Sequence, residues 1–216
     1  FTGGSFADED YLWLKDYLQL DGMIYKMVPV KTTIDKENNP MDMGMIDADK
    51  MYDIVTKWDW GNGESTKIYH DPETRKNSIS YRTNLARLMN ELIKEGKIEK
   101  AKNIINLAIT KMPIEYYGYY TMLEPYIKGY YVVGEKEKAR QLLDVLTKKY
   151  QENLTFYYGL KAAEQNDLIV DIVSDIERYR SLLKAAKDND PEYYNKNKAS
   201  FNNFNNKFER FGRKAE

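Results

Sequence analysis

The chain carries one histidine, His70, in Tyr69-His70-Asp71-Pro72. A histidine beside an aspartate can move a proton, but it needs a nucleophile or a substrate to act on. No serine stands in a recognisable nucleophile motif, cysteine is absent, and no second histidine can complete a metal triad. Asp71-Pro72-Glu73 therefore reads as a helix start, with Asp71 before a proline in the first turn. Glu91 and Glu124 are the carboxylates that a hydrolase or lyase could use. Such a pair needs a shaped, water-restricted site to split its pKa values, and acids at helix spacing are more often a solvated face. Met41, Met43 and Met45 lack the Cys or His that would accompany thioether metal ligands, so they are expected to fill gaps. The residues assign no catalytic group, no cofactor site and no metal site.

Binding chemistry is better represented. Trp58-Asp59-Trp60-Gly61-Asn62-Gly63 brings two indoles into one turn. They either pack under the following helix or offer a stacking platform for a sugar or a peptide.

Elements must position these groups, and the organising stretch runs from Asn84 to Pro113. Aligned on Gly96 it fits the helix–turn–helix of a tetratricopeptide repeat. Leu88 and Leu92 take packing positions, Ala101 and Ala108 the small sites, and Pro113 the exit. Small residues let the second helix approach closely while Ile98, Ile104 and Ile105 fill the seam. A weaker copy lies 38 residues on, with Gly134 matching Gly96 and Ala139 matching Ala101. Leu146 replaces Ala108, and Pro125 requires its first helix to begin nearby or kink. In such arrays the first helix of each pair lines a groove. That geometry puts Ala86, Asn90 and Ile93 beside Glu124, Lys128 and Tyr131. Asn90, Glu124, Lys128 and Tyr131 are the candidate partner contacts.

Around the repeats, a helix is expected over 7–20, from the stripe Tyr11, Leu14, Tyr17 and Leu18. Asp21-Gly22 signals a turn, and Met23–Val30 an extended segment. A helix capped by Asp47 should run to Trp58. A short helix capped by Asn153 is expected over 154–163, followed by an amphipathic one over 168–187. Asp188–Pro191 breaks the chain before a final helix whose Phe201, Phe204, Phe208 and Phe211 form one stripe. That helix is expected to cap the last repeat, although the stripe would also suit a partner-binding helix. The fold class is mainly all-α, with tetratricopeptide-like pairs forming an α-α superhelix. The parts are an N-terminal region of helix, strand and loop over 1–72, repeats over 73–187 and a capping helix over 188–216.

Composition sets bounds. Among 216 residues, 42% are apolar and 31% charged, with a net charge of −1 and no cysteine. Disulfides are excluded, and no basic stripe suggests nucleic acid. No apolar run approaches the 18–20 or so residues that span a membrane. A chain beginning at Phe1 is expected to be a processed or excised piece.

Three blocks in order carry a resemblance: YLWLKDYLQLDGMIYKMVPVKT (Tyr11–Thr32), DADKMYDIVTKWDWGN (Asp47–Asn62), and the repeat-bearing stretch Tyr81–Tyr158. Together they resemble the C-terminal soluble region of a family of Bacteroidetes inner-membrane proteins grouped with protein O-mannosyltransferase-like proteins. Members join a bundle of membrane helices to a soluble tail with tetratricopeptide-like helices. The resemblance implies a non-catalytic domain at the periplasmic face of the inner membrane. It would bind a protein or glycan ligand beside its parent membrane domain in cis. The resemblance implies catalytic acids in that membrane part, so none is carried onto this sequence. The other expectation is a free-standing helical-repeat adaptor, and the remaining one a carboxylate-dependent hydrolase.

Overall fold

The computed structural model describes residues 16–32 and 44–211. The expected helix over 7–15, Met41 and Met43 lie outside the described residues. The described chain is predominantly α-helical, and it divides into compact units at Pro125/Tyr126.

The first unit opens with a hairpin. Strands β1 (Leu18–Asp21) and β2 (Ile24–Met27) pair antiparallel with Asp21 opposite Ile24, leaving Gly22-Met23 as a two-residue loop. Gly22 has φ 74°, which suits the first central position of a type II′ turn. Met45 pairs along the other edge of β1, donating to Leu18 O at 2.8 Å and accepting from Leu20 N at 2.9 Å. The helix expected to reach Leu20 is thus corrected to a strand from Leu18. Leu18 and Leu20 share one face and are fully buried, and pairing along both edges of β1 wins over the helical stripe.

Helix α1 (Ala48–Val55) starts as expected, with Asp47 accepting from Lys50 N at 3.1 Å. It ends at Val55 rather than Trp58. Thr56 Oγ1 donates back to Tyr52 O, a local bond that competes with helical propagation, and Trp58 is left in a loop. Helix α2 (Pro72–Lys94) has Asp71 as its cap, accepting from Glu73 N and Thr74 N at 2.9 and 3.1 Å. Helix α3 (Ile98–Lys111) packs back on α2. Leu85, Leu88, Met89 and Leu92 of α2 and Ala101, Ile104, Ile105 and Ala108 of α3 are all fully buried. Gly96 makes the turn possible. At φ 74° it donates to Ile93 O while Lys97 donates to Leu92 O, the paired bonds of a Schellman motif.

The tyrosine-rich connector contains a helical turn, α4 (Ile114–Tyr117), and then a 3-10 turn (Tyr120–Leu123). Arg82 of α2 ties it down. Its buried guanidinium donates to Gly118 O at 2.6 Å, Tyr119 O at 3.2 Å and Met112 O at 2.7 Å.

In the second unit, α5 (Glu124–Val132), whose start lies at the unit boundary beside Pro125, ends in the same turn chemistry. Gly134, φ 79°, donates to Tyr131 O, and Glu135 donates to Tyr130 O. Helix α6 (Lys136–Gly159) then runs without a break through Asn153. The separate helix expected over 154–163 is corrected accordingly. Leu154 is fully buried in line with Leu143, Leu146 and Tyr150, and Asn153 donates to Asp175 Oδ2 at 2.8 Å instead of capping. Helices α7 (Ala162–Asp167), α8 (Ile169–Asn189) and α9 (Pro191–Lys207) follow, with α6 packed on α8 and α9.

Asp190 forms the corner between α8 and α9. Its fully buried carboxylate takes Arg140 in a fork, Nε to Oδ2 at 2.6 Å and Nη2 to Oδ1 at 3.0 Å, with Lys136 at 3.1 Å. The phenylalanine stripe of the last helix faces inward. Phe208 is buried, and Phe201 meets Tyr179 edge-on at 5.2 Å.

Candidate aromatic binding cleft

The loop between α1 and α2 builds a cleft of about 370 Å³ in the first unit. Trp58 and Trp60 stand on this loop, and Tyr81 projects from α2. Their rings form a mutual set: Trp58 to Trp60 at 5.5 Å and 65°, Trp58 to Tyr81 at 5.3 Å and 82°, Trp60 to Tyr81 at 5.5 Å and 52°. Edge-to-face contact of this kind holds rings without covering every face, and all three side chains stay half-exposed.

The loop conformation has local causes. Asp59 Oδ1 accepts from Gly61 N at 2.8 Å, and Gly61 takes φ 55°, so the chain reverses between the indoles and the next turn. Tyr117 closes one side by donating to Gly63 O at 3.2 Å. Burial and then the charge of Glu64 push its phenol upward, so it keeps its proton as a donor. On the other side the hairpin tip touches the cleft. Asn84 Nδ2 donates to Gly22 O at 2.9 Å, and Met23 lines the wall. The polar lining comes from Asp59 and from Thr74, Asn77 and Ser78 on the first turns of α2. Ser78 is spent on Arg75 O at 2.6 Å, whereas Asn77 is exposed at the rim.

The other expected residues fall elsewhere. His70 is buried, with its ring 4.7 Å from that of Tyr117, and Nε2 has no hydrogen-bond partner among the described residues. Asp71 does not serve it. One carboxylate oxygen caps α2, and the other accepts from Thr74 Oγ1 at 2.5 Å. Glu91 pairs with Lys94 at 3.3 Å on one helix face. Of the proposed groove, Asn90 and Lys128 are exposed, while Glu124 is half-buried. Tyr131 is half-buried too, but its hydroxyl is buried and has no partner among the described residues, which corrects its expected outward projection. Burial pushes this phenol up to about 12. Ala86 is buried, so it joins the core instead of lining a groove. Asn90 and Glu124 belong to the first unit, Lys128 and Tyr131 to the second.

Both indoles are legible in the sequence, whereas Tyr81, Asn77 and Tyr117 are not picked out by any motif. One signal was present: Thr74, Ser78 and Tyr81 share a helical stripe that continues into the apolar Leu85, Leu88 and Leu92. The stripe turns polar and aromatic where the cleft lies.

Over residues 1–50 the chain matches the family model described as TMEM260-associated domain 2. That span includes the Tyr11–Thr32 block, and the match agrees with a domain associated with protein O-mannosyltransferase-like membrane proteins. Comparison with curated proteins gives no match, and neither does comparison with solved structures. Among the described residues no helix is long and apolar enough to cross a membrane.

Proposed function

We propose that this chain is a non-catalytic, tetratricopeptide-like recognition domain of a membrane-bound glycosyltransferase-like protein, facing the periplasm. It holds an acceptor polypeptide or glycan near the parent's membrane domain. One observation carries the reading: the half-exposed ring set of Trp58, Trp60 and Tyr81 opens into a cleft beside Asp59 and Asn77. Aromatic surface with a few placed polar groups is the usual chemistry of a recognition pocket. The match of residues 1–50 supports the glycosyltransferase association. The repeated glycine turns at Gly96 and Gly134, with Ala101 and Ala139 both fully buried five residues later, support the tetratricopeptide-like reading.

The purified chain is expected to bind members of a mixed peptide and glycan array, and Trp60→Ala should remove that binding while the chain stays folded. It should give no glycosyl transfer from lipid-linked or nucleotide sugars. Transfer by the purified chain, or binding indifferent to Trp60, would sink the reading.

A further inference from the structure

We infer that the cleft takes a neutral pyranose unit and discriminates against phosphorylated sugars, so that it serves the acceptor side of glycosyl transfer and not the donor side. The inference rests on the recognition reading and narrows its ligand.

The lining decides the charge. Of the ten residues that line the cleft, Asp59 is the only one with an acidic or basic side chain apart from the tyrosine phenols, and neither lysine nor arginine contributes. A sugar phosphate or a lipid-linked diphosphate would find no cationic side chain in the lining to pair with. It would also face a carboxylate, and like charges brought together in a cleft repel. A neutral sugar meets no such cost. The C–H groups of one sugar face pack on the half-buried rings of Trp60 and Tyr81, while its hydroxyls need acceptors and donors at the rim. Asp59 offers one: Oδ1 is engaged by Gly61 N, and Oδ2 has no partner among the described residues. The exposed amide of Asn77 supplies both a donor and an acceptor. A volume of about 370 Å³ lies near the lower end of small-ligand pockets, which suits one or two sugar units.

The test titrates the full chain with methyl glucoside, methyl mannoside and methyl galactoside, and with the 6-phosphates of the same hexoses, following indole N–H and tyrosine ring signals by NMR. At least one neutral hexoside should shift the Trp58, Trp60 and Tyr81 signals, and its phosphate should bind at least tenfold more weakly. Asp59→Asn keeps an oxygen for Gly61 N and should narrow that gap to under threefold. Asn77→Ala, on the exposed rim, should weaken hexoside binding severalfold without unfolding the chain. Equal binding of hexoside and phosphate overturns the inference, as does an unchanged gap in Asp59→Asn. Peptide binding at the same ring signals with no sugar response overturns it while leaving the recognition reading intact. Silence from both ligand classes overturns both.

Discussion

Gly22 lies so close to the indole of Trp58 that a β-carbon at position 22 would stand 2.6 Å from Cζ2. The hairpin tip and the cleft loop therefore depend on one missing side chain. Gly22 also has φ 74°, so Gly22→Ala meets a clash and a strained backbone together. A loss of about 3 kcal/mol is expected in urea unfolding. The Trp58 indole signal should move as well. A neutral result would show that hairpin and loop are not locked in this way.

Gly96 and Gly134 provide a matched pair. Both have positive φ, 74° and 79°, and a β-carbon at either would meet nothing within 4 Å. Alanine at each should thus cost about 1 kcal/mol through backbone strain alone. The two values should agree within about 0.5 kcal/mol, since the same pair of hydrogen bonds closes both turns. Denaturation curves that differ by several-fold in cost would break the equivalence of the two turns.

Ala101 tests the seam between α2 and α3. The residue is fully buried, so the four-carbon side chain of Ala101→Leu has no vacant space to enter. Overpacking should lower stability by about 1–3 kcal/mol. An unchanged melting temperature would mean that the seam is slack and that close approach is not what alanine provides there.

Asp190 should make the second unit acid-sensitive. The Arg140 guanidinium, then Lys136 and the Tyr193 amide, hold this carboxyl far below its ordinary range in spite of its burial. A depressed folded-state pKa adds stability above the unfolded value of about 3.9, and that stability is lost as pH falls below it. Helicity followed against denaturant should thus weaken between about pH 4 and pH 2. Asp190→Ala should cost about 3 kcal/mol at neutral pH, because Arg140 and Lys136 lose their partner and α9 loses its cap. Asp190→Asn retains a capping side chain but should flatten the acid dependence. Asp49, held at about 2 by Lys100 and Lys97, titrates in the same direction in the first unit, so the comparison with Asp190→Asn isolates the second. An acid profile identical in the variant would assign the sensitivity elsewhere.

What the sequence by itself determined is the set of features whose causes lie within about five residues. Asp47 and Asp71 cap helices because their carboxylates reach amides two or three positions on. Gly96 and Gly134 stop helices because only glycine takes that φ cheaply, and Pro191 opens α9 because a proline suits a first turn. The two indoles were legible as a paired feature for the same reason. Tertiary structure decided the rest. Leu18 and Leu20 are strand residues because Met45 and β2 pair on either side of them, and α6 passes Asn153 because its side chain finds Asp175. Nothing near Trp58 in sequence announces Tyr81, Tyr117 or the hairpin tip. The cleft exists because α2 carries Tyr81 back to the indoles while Asn84 draws in Gly22 from 62 residues away. Contacts at that separation follow from which apolar faces are buried together, and no local pattern encodes that choice.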